Sequence, residues 1–475
     1  MTPDERIAEL EAEIAALQAQ IQDLVAQNQQ LRARLANAAK DSHNSSKPPS
    51  SDPLARKRPR SQRRRSGKKP GGQLGHRGET LRLVAMPDEL VEHRPAMCAS
   101  CQTPLDETAP VVVYERRQVH ELPPVRLLIR EHRALHVRCP RCEQVSVGTF
   151  PAEAPSRAQY GPRLRALAVY LVEQQLIPYA RVRELFADLL GMHVSLGTLN
   201  RWVQQAAETL RPVEEQIKAA LQRAPVLHSD ETGVRRAGKL AWAHVTCTAQ
   251  LTHYAIHAQR GSEATDAIGI LPTYRGVSVH DGWKPYRHYT ACRHALCNIH
   301  HLRELTFVEE TFHQAWATQL KMLLLEMKAA VEQARTRGEG RLGQAERDAF
   351  VARYGQLMAE GLAANPPPER PPGRKKGRLK QSPPRNLLER LWMGQGAVLA
   401  FLHDLAIPCD NNQAEQDLRM LKVQQKIAGS FRAESGSEAF ARIRGYCATL
   451  RKQGVGLLAA LHTVFSGQPL YPALG

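Results

Sequence analysis

The sequence predicts a multidomain α/β protein, and three observations along its 475 residues carry that prediction. A heptad of apolar residues occupies the N-terminal stretch. Two Cys-x2-Cys pairs follow, Cys98/Cys101 and Cys139/Cys142. From residue 224 the apolar pattern changes from helical spacing to alternation, and it returns to helical spacing from 306. The segments expected from this are a coiled-coil helix (1–40), a basic linker (41–90), a zinc-ribbon-like module with four cysteines (91–150) and a helical region (156–223). A core split into 224–305 and 386–450 by a helical insertion (306–385), and a tail (451–475), complete the chain.

Composition bounds the function. The apolar fraction of 42% is enough for buried cores. No run of about 18 apolar residues indicates a membrane span, and the acidic, helical start does not resemble a secretory signal. A cytoplasmic, nucleoid-associated protein is expected, its nine Cys serving as metal ligands or free thiols. The net charge of +18 is uneven: residues 56–82 hold eleven Lys/Arg against one Glu, and residues 370–385 hold seven against none. Both runs are rich in Pro, Gly or Ser, and such arms suit a polyanion, because neutralising phosphates releases condensed counterions. Arg63, Arg64, Arg65, Lys68 and Lys69 in the first run, and Lys375 and Lys376 in the second, are candidate DNA contacts.

In the N-terminal helix, Ile7, Ile14, Ile21, Asn28 and Leu35 take position a, and Leu10, Leu17, Leu24 and Leu31 take position d. Ile at a with Leu at d favours a parallel dimer, and a buried Asn28 would set register and strand number. Self-association through residues 7–35 is expected; the competing reading is an amphipathic helix packed on its own globule. Residues 42–52 read as a polar linker. The Gly-rich stretch 71–78 lacks the Gly-Lys-Ser/Thr end of a phosphate loop. Cys98, Cys101, Cys139 and Cys142 supply four thiolates for a structural Zn²⁺. The 37 residues between the pairs include strand-like runs at 111–119 and 125–137. Gln102 and Glu143 stand where a turn-favouring Gly is often found.

A helix over 179–190, a turn at 191–194 and a helix capped by Ser195 make a helix-turn-helix-like region, with Thr198, Asn200 and Arg201 near the start of the reading helix. Strands are expected at 226–235, 241–248 and 251–258, then a helix near 262–271 and a strand at 276–280. That order matches the opening of an RNase H-like catalytic core. Alternation along the first strand puts His228, Asp230 and Thr232 on one face and Glu231 on the other. Asp281 ends the later strand. Glu415 opens a helix 134 residues beyond it, a gap that implies the helical insertion. Asp230, Asp281 and Glu415 are the candidate catalytic set, holding a pair of Mg²⁺ ions (Mn²⁺ as a substitute) for phosphodiester chemistry. Asn412-x-x-Glu415 also fits a capping box. Arg419 and Lys422, on the same helix face as Glu415, suit DNA phosphates and favour the catalytic reading.

The chain resembles the DDE transposases of the insertion-sequence sixty-six family over nearly its whole length. The resemblance rests on the zipper, Asp41-Ser-His-Asn-Ser-Ser-Lys-Pro-Pro-Ser50, Gly71-Gly-Gln-Leu-Gly-His76 and the paired Cys-x2-Cys. It rests also on Asp230-Glu-Thr232, His280-Asp-Gly-Trp283 and Asn411-Asn-x-x-Glu415 with Lys422. It implies a DNA transposase that binds element ends and performs metal-dependent strand cleavage and strand transfer, with Asp230, Asp281 and Glu415 as its triad. It also implies small accessory proteins of the same element as partners. The competing function is a DNA-binding regulator or a catalytically inactive relic. Cys297-Asn-Ile-His300 resembles a Cys-x2-His element of many DDE transposases. A hydrogen-bonded core pair is expected there rather than a second zinc site, because two more ligands are needed.

Overall fold

A computed structural model describes residues 2–38, 40–45, 75–76, 78, 80–368 and 381–474. Both basic runs fall largely outside these residues, including Arg63, Arg64, Arg65, Lys68, Lys69, Lys375 and Lys376. The protein is a mixed α/β chain of several parts. No helix among the described residues is long and apolar enough to cross a membrane.

Helix α1 (Pro3–Ala38) forms as its heptads predict. Its seam is not folded back onto the protein: Leu24 and Leu35 are 63% and 71% exposed. The polar tract that follows begins as a turn, as its composition predicts, and that turn is docked on the protein; residues 46–52 of the expected linker lie outside the described residues. Asp41 accepts from the His43 and Asn44 amides at 2.8 and 3.3 Å, and Ser42, Asn44 and Ser45 are buried. His43 lies 3.3 Å from Glu310, and the Lys40 ammonium stands over the Phe307 ring.

Residues 81–135 carry no helix or ladder strand. The runs 111–119 and 125–137 were expected as strands; only the end of the second enters one, in the hairpin of β1 (His136–Arg138) and β2 (Val145–Val147). Their apolar side chains stay in solvent, Val112 at 94% and Ile129 at 87%. β-branched composition makes a strand only when a neighbouring ladder and a surface to cover are present, and this stretch of the chain supplies neither.

Helices α2 (Pro162–Val169), α3 (Tyr179–Leu190), α4 (Leu196–Thr209) and α5 (Arg211–Arg223) follow. A π-helical turn at Tyr170–Gln174 extends α2. Gly191 closes α3 at φ 60°, and the Ser195 hydroxyl accepts from the Thr198 amide to start α4. Both match the expected helix–turn–helix boundaries.

The sheet is built from β3 (Val226–Arg236), β4 (Lys239–Cys247), β5 (Thr252–His257), β6 (Val277–His280) and β7 (Arg293–Leu296), in the order β5-β4-β3-β6-β7. β3, β4 and β5 form an antiparallel meander; its first turn, Ala237–Gly238, has both φ values positive, as a two-residue hairpin with right-handed twist requires. Helix α6 (Ser262–Ile268) leads across to β6, which lies parallel to β3, and β7 lies parallel to β6. Gly276 is needed at that crossing: a Cβ there would sit 2.7 Å from the Pro225 carbonyl, which accepts from Val277 N in the first β3–β6 contact.

Helices α7 (Asn298–Phe312), α8 (Ala315–Thr336) and α9 (Gln344–Ala364) form the insertion, with α10 (Pro383–Met393), α11 (Gln395–Val398) and α12 (Ala400–His403) closing it. Leu320, Leu323, Leu324, Met327 and Val331 are buried as their spacing predicts, in a core shared with Val277, Val279 and Ala295 of the sheet. Helices α13 (Asn412–Ala428) and α14 (Glu434–Lys452) cover β3–β5, burying Leu418, Leu421 and Phe440 on Ala243, Val245 and Tyr254. The expected tail is instead helix α15 (Leu457–Phe465), whose Leu461 and Val464 share a core with Ala166 and Val169 of α2. The helical region before the sheet is thus completed by the chain's last helices.

Candidate active site

Register brings the first two carboxylates level. His228 pairs with Val279 in the parallel β3–β6 ladder, so Asp230 and Asp281 each lie two residues beyond the last pair. Asp230 accepts from the Glu231 amide and Asp281 from the Trp283 amide, both at 2.8 Å.

Asn411 carries the third carboxylate to this edge. This residue is 1% exposed and immediately precedes α13. Its Nδ2 donates to the Ser229 carbonyl at 2.8 Å, and its Oδ1 lies 2.9 Å from His228 Nδ1. An amide oxygen only accepts, so His228 carries its proton on Nδ1. The Asn411 amide donates to Cys297 Sγ at 3.2 Å, and the Cys297 amide donates to the His280 carbonyl at 2.9 Å. The α13 N-terminus is therefore bonded to the strand segment beside Asp230 and to the loop after β7.

The electrostatics follow from that gathering. Burial raises the Asp230 pKa well above the usual carboxylate range, and the charges of Glu231, Asp281 and Glu415 push it further. The capping box proposed for Glu415 does not form. The cap is Asn411 without a side-chain cap bond, and Glu415 Oε1 is buried with no hydrogen-bond partner. Of the two neighbouring cations, one is engaged with the backbone. Lys422 donates to the Gly233 carbonyl at 3.0 Å, and burial lowers its pKa; it holds α13 against β3. Arg419 is exposed one turn beyond Glu415, and Arg201 is exposed on α4.

Glu231 alternates with Asp230 along β3 and has partners of its own. Its Oε1 accepts from Arg260 at 2.7 and 3.0 Å and its Oε2 from the Tyr286 hydroxyl at 2.5 Å. Burial and the nearby Asp281 charge raise its pKa against the pull of those bonds. Arg260 lies between the Trp283 and Trp242 rings, 4.1 and 4.8 Å from their centroids. Below Tyr286 a histidine pair is fixed in one tautomer. His294 Nε2 donates to the Tyr289 carbonyl, so its Nδ1 accepts from His280 Nε2, while His280 Nδ1 accepts from the Gly282 amide. Burial pushes the His280 pKa down to about 3, and the pair stays neutral.

The expected core pair is joined through the backbone, the His300 amide donating to the Cys297 carbonyl at 3.2 Å, while His300 Nδ1 has no hydrogen-bond partner among the described residues. The ligand atoms of Cys297, His300 and Glu415 all lie within 4.8 Å of one another. In the Cys-rich module each Cys-x2-Cys forms the same turn. The Cys98 amide donates to the Thr103 carbonyl and Gln102 N to the Cys98 carbonyl; Cys139, Gln144 and Glu143 repeat both bonds. Gln102 and Glu143, standing in for glycine, adopt φ of 60° and 59°. Each turn brings its own two sulfurs together, but no three of the four sulfurs lie within 4.8 Å of one another.

Asn411, Arg260 and Tyr286 had no role assigned from the sequence. The one available signal was the Asn411-Asn412 doublet before a helix, which is ambiguous because Asn is also a common cap.

The family model described as Transposase IS66 family matches residues 157–439, more than half of the chain, a range that includes Asp230, Asp281 and Glu415. The chain belongs to the IS66 transposase family. A second family model, described as a family of unknown function (DUF6444), matches residues 2–82 of this IS66 chain. The uncharacterized protein y4jD of Sinorhizobium fredii is similar at 22% identity over 405 residues, covering 79% of this chain and 75% of that protein. Membership of the IS66 family carries a transposase role and, with it, action on DNA.

Proposed function

We propose that this IS66 transposase cuts and joins DNA strands at a site made by Asp230, Asp281 and Glu415 on an RNase H-like core. The observation that carries the reading is the shared acidic edge: the Asp230 carboxyl is raised by burial and by the charges of both other residues. The sheet order, with an antiparallel meander and two parallel strands beyond it, supports the RNase H-like reading.

The residues fit divalent cations. Among the described residues no Lys or Arg forms an ion pair with these three carboxylates, and Glu415 Oε1 is buried without a hydrogen bond. Hard oxygen ligands of this kind suit Mg²⁺ or Mn²⁺. A bound pair of such ions supplies Lewis-acid stabilisation of the attacking and leaving oxygens of a phosphodiester. Asp230 would provide a ligand from within β3 and Asp281 from just past the end of β6. Asn411 fixes the first turn of α13, which carries Glu415, against β3; the three carboxylates do not all lie within 4.8 Å of one another, and bound ions would draw Glu415 toward the other two. Lys422 and Gly233 hold that helix on the strand.

The rest of the chain would handle DNA and assembly. Arg201 and Arg419 are exposed and would meet phosphates, as would Arg63, Arg64, Arg65, Lys68, Lys69, Lys375 and Lys376. The exposed seam of α1 would pair two protomers, one for each element end. Cys98, Cys101, Cys139 and Cys142 would close on a structural Zn²⁺, drawing the two turns together. Small accessory proteins of the element are candidate partners.

The test is cleavage and joining of a labelled duplex carrying the element ends, with Mg²⁺, for wild type and for Asp230→Asn, Asp281→Asn and Glu415→Gln. Loss of both steps in all three, with unchanged duplex binding, is expected. Wild-type cleavage in any one variant removes that residue from the triad. DNA binding without cleavage in the wild type favours the regulator reading.

A further inference from the structure

We infer that Cys297, His300 and Glu415 form a site for a thiophilic divalent cation, Zn²⁺ ahead of Mg²⁺, which shares Glu415 with the proposed triad and withdraws it from catalysis when filled. The sharing clause rests on the role proposed above for Glu415; the site itself does not.

Two helix starts build it. Cys297 is the N-cap of α7, and His300 is three residues on, so both side chains lie on one face of the first turn. Glu415 lies in the first turn of α13. The two starts are tied together: Asn298 N donates to the Cys409 carbonyl at 3.0 Å, and Asn411 N to Cys297 Sγ at 3.2 Å. Both helix N-termini favour the anionic forms that a bound ion requires, a thiolate at Cys297 and a carboxylate at Glu415.

The donor residues are close, and two of them hold an unused polar atom. All three lie within 4.8 Å of one another. Around a tetrahedral ion with bonds of about 2.0–2.3 Å, donors stand roughly 3.3–3.8 Å apart, so side-chain rotation is enough to close the set. Cys297 is fully buried, and His300 Nδ1 and Glu415 Oε1 are both buried without a hydrogen bond. Buried polar atoms are seldom left so, and two of them on residues whose ligand atoms lie this close to one thiol point to a ligand that all three share. One sulfur, one nitrogen and one oxygen match Zn²⁺, whereas Mg²⁺ takes oxygens almost alone. Binding exchanges the Cys297 thiol proton, released to solvent, for the metal–sulfur bond. A fourth position is left for water. A carboxylate drawn to this ion is no longer turned to Asp230 and Asp281.

The test uses the full-length protein with Cd²⁺ as an NMR-visible probe, because each thiolate ligand shifts the cadmium resonance strongly downfield. Two signals per chain are expected, one from a four-thiolate site and one far upfield from the one-thiolate site. Cys297→Ser and His300→Ala should each abolish the upfield signal and keep the other, with circular dichroism reporting the fold. A single four-thiolate signal at saturating Cd²⁺, or an upfield signal that survives in His300→Ala, overturns the site. For the sharing clause, Zn²⁺ is titrated into Mg²⁺-supported cleavage. Inhibition is expected in the wild type, with the half-inhibitory concentration raised by about tenfold or more in His300→Ala, as for loss of one group from a metal site. No inhibition in a cleaving wild type, or no such rise in His300→Ala, overturns the sharing. If the wild type does not cleave at all, the catalytic reading fails, and the cadmium signals still decide the site.

Discussion

Replacing Asn411 by Ala removes the side chain that ties α13 to β3. Two bonds go, to the Ser229 carbonyl at 2.8 Å and to His228 Nδ1 at 2.9 Å, at a position 1% exposed. A buried group deprived of its partner costs about 1–3 kcal/mol. His228 is only partly buried and recovers some hydration, so the pair together costs roughly 2–4 kcal/mol. For a folding unit of 150–250 residues each kcal/mol lowers Tm by about 2–4 °C, so a fall of roughly 4–15 °C is expected in a fluorescence melt. Catalysis should suffer as well, because a shift of Glu415 by about 1 Å costs on the order of 100-fold in rate. Single-turnover cleavage measures that. Asn411→Asp keeps an acceptor for His228, loses the donor to Ser229 and adds charge to an acidic site, so it should be at least as damaging. An Asn411→Ala protein that melts with the wild type and cuts at its rate refutes the anchoring argument.

Four further outcomes are expected. Asp230 is raised in the folded protein, so between the unfolded carboxylate range near pH 4 and its folded pKa it is ionised only when unfolded. Wild-type stability therefore falls as pH climbs through that window. The melting gap between Asp230→Asn and metal-free wild type should open above about pH 4 in favour of Asn, and Mg²⁺ should narrow it; a gap independent of pH counts against the shift. Glu231→Gln breaks the Arg260 pair, in which Arg260 is 36% and Glu231 1% exposed. A loss of roughly 1–3 kcal/mol is expected after discounting for the solvated partner, with Mg²⁺ binding by calorimetry retained. Leu17→Lys with Leu24→Lys should lower the mass seen by light scattering to that of one chain, and an unchanged mass excludes the α1 seam as the contact. In metal-free protein the Thr103 hydroxyl, with its backbone and Cys98, lowers the Cys101 thiol to about 7, whereas burial pushes Cys297 up to about 12. Iodoacetamide near neutral pH should therefore label Cys101 well before Cys297 by peptide mass spectrometry, and Zn²⁺ should protect Cys101.

Much of the fold was legible because local rules settle it. Gly191 and Ser195 mark the ends of α3 and α4 by backbone conformation and side-chain capping alone. The β3–β4 hairpin follows from alternation and a turn at Ala237–Gly238. Alternation also separates Asp230 from Glu231, and the two do lie in different surroundings. The strand-like runs near 111–137 misled because composition reports side-chain preference, and a ladder also needs a neighbouring strand. α15 was missed as a packed element because its partners on α2 lie about three hundred residues earlier in the chain. Lys422, expected to meet phosphates, also donates to a carbonyl on β3, a bond that its helix face alone does not reveal.

By itself the sequence determined the seam of α1, the two Cys turns, the switch from helices to strands and the three acidic residues worth following, because each depends on neighbours within a few positions. Only the tertiary structure decided what those residues meet. The Asp230–Asp281 alignment needs the β3–β6 register, which Gly276 permits by close backbone approach. The start of α13, which carries Glu415, is tied to β3 by Asn411, whose partners lie more than 180 residues away in sequence. Cys297 and His300 join Glu415 because two helix starts abut. Contacts across such separations are set by packing of the whole core, and no local periodicity encodes them.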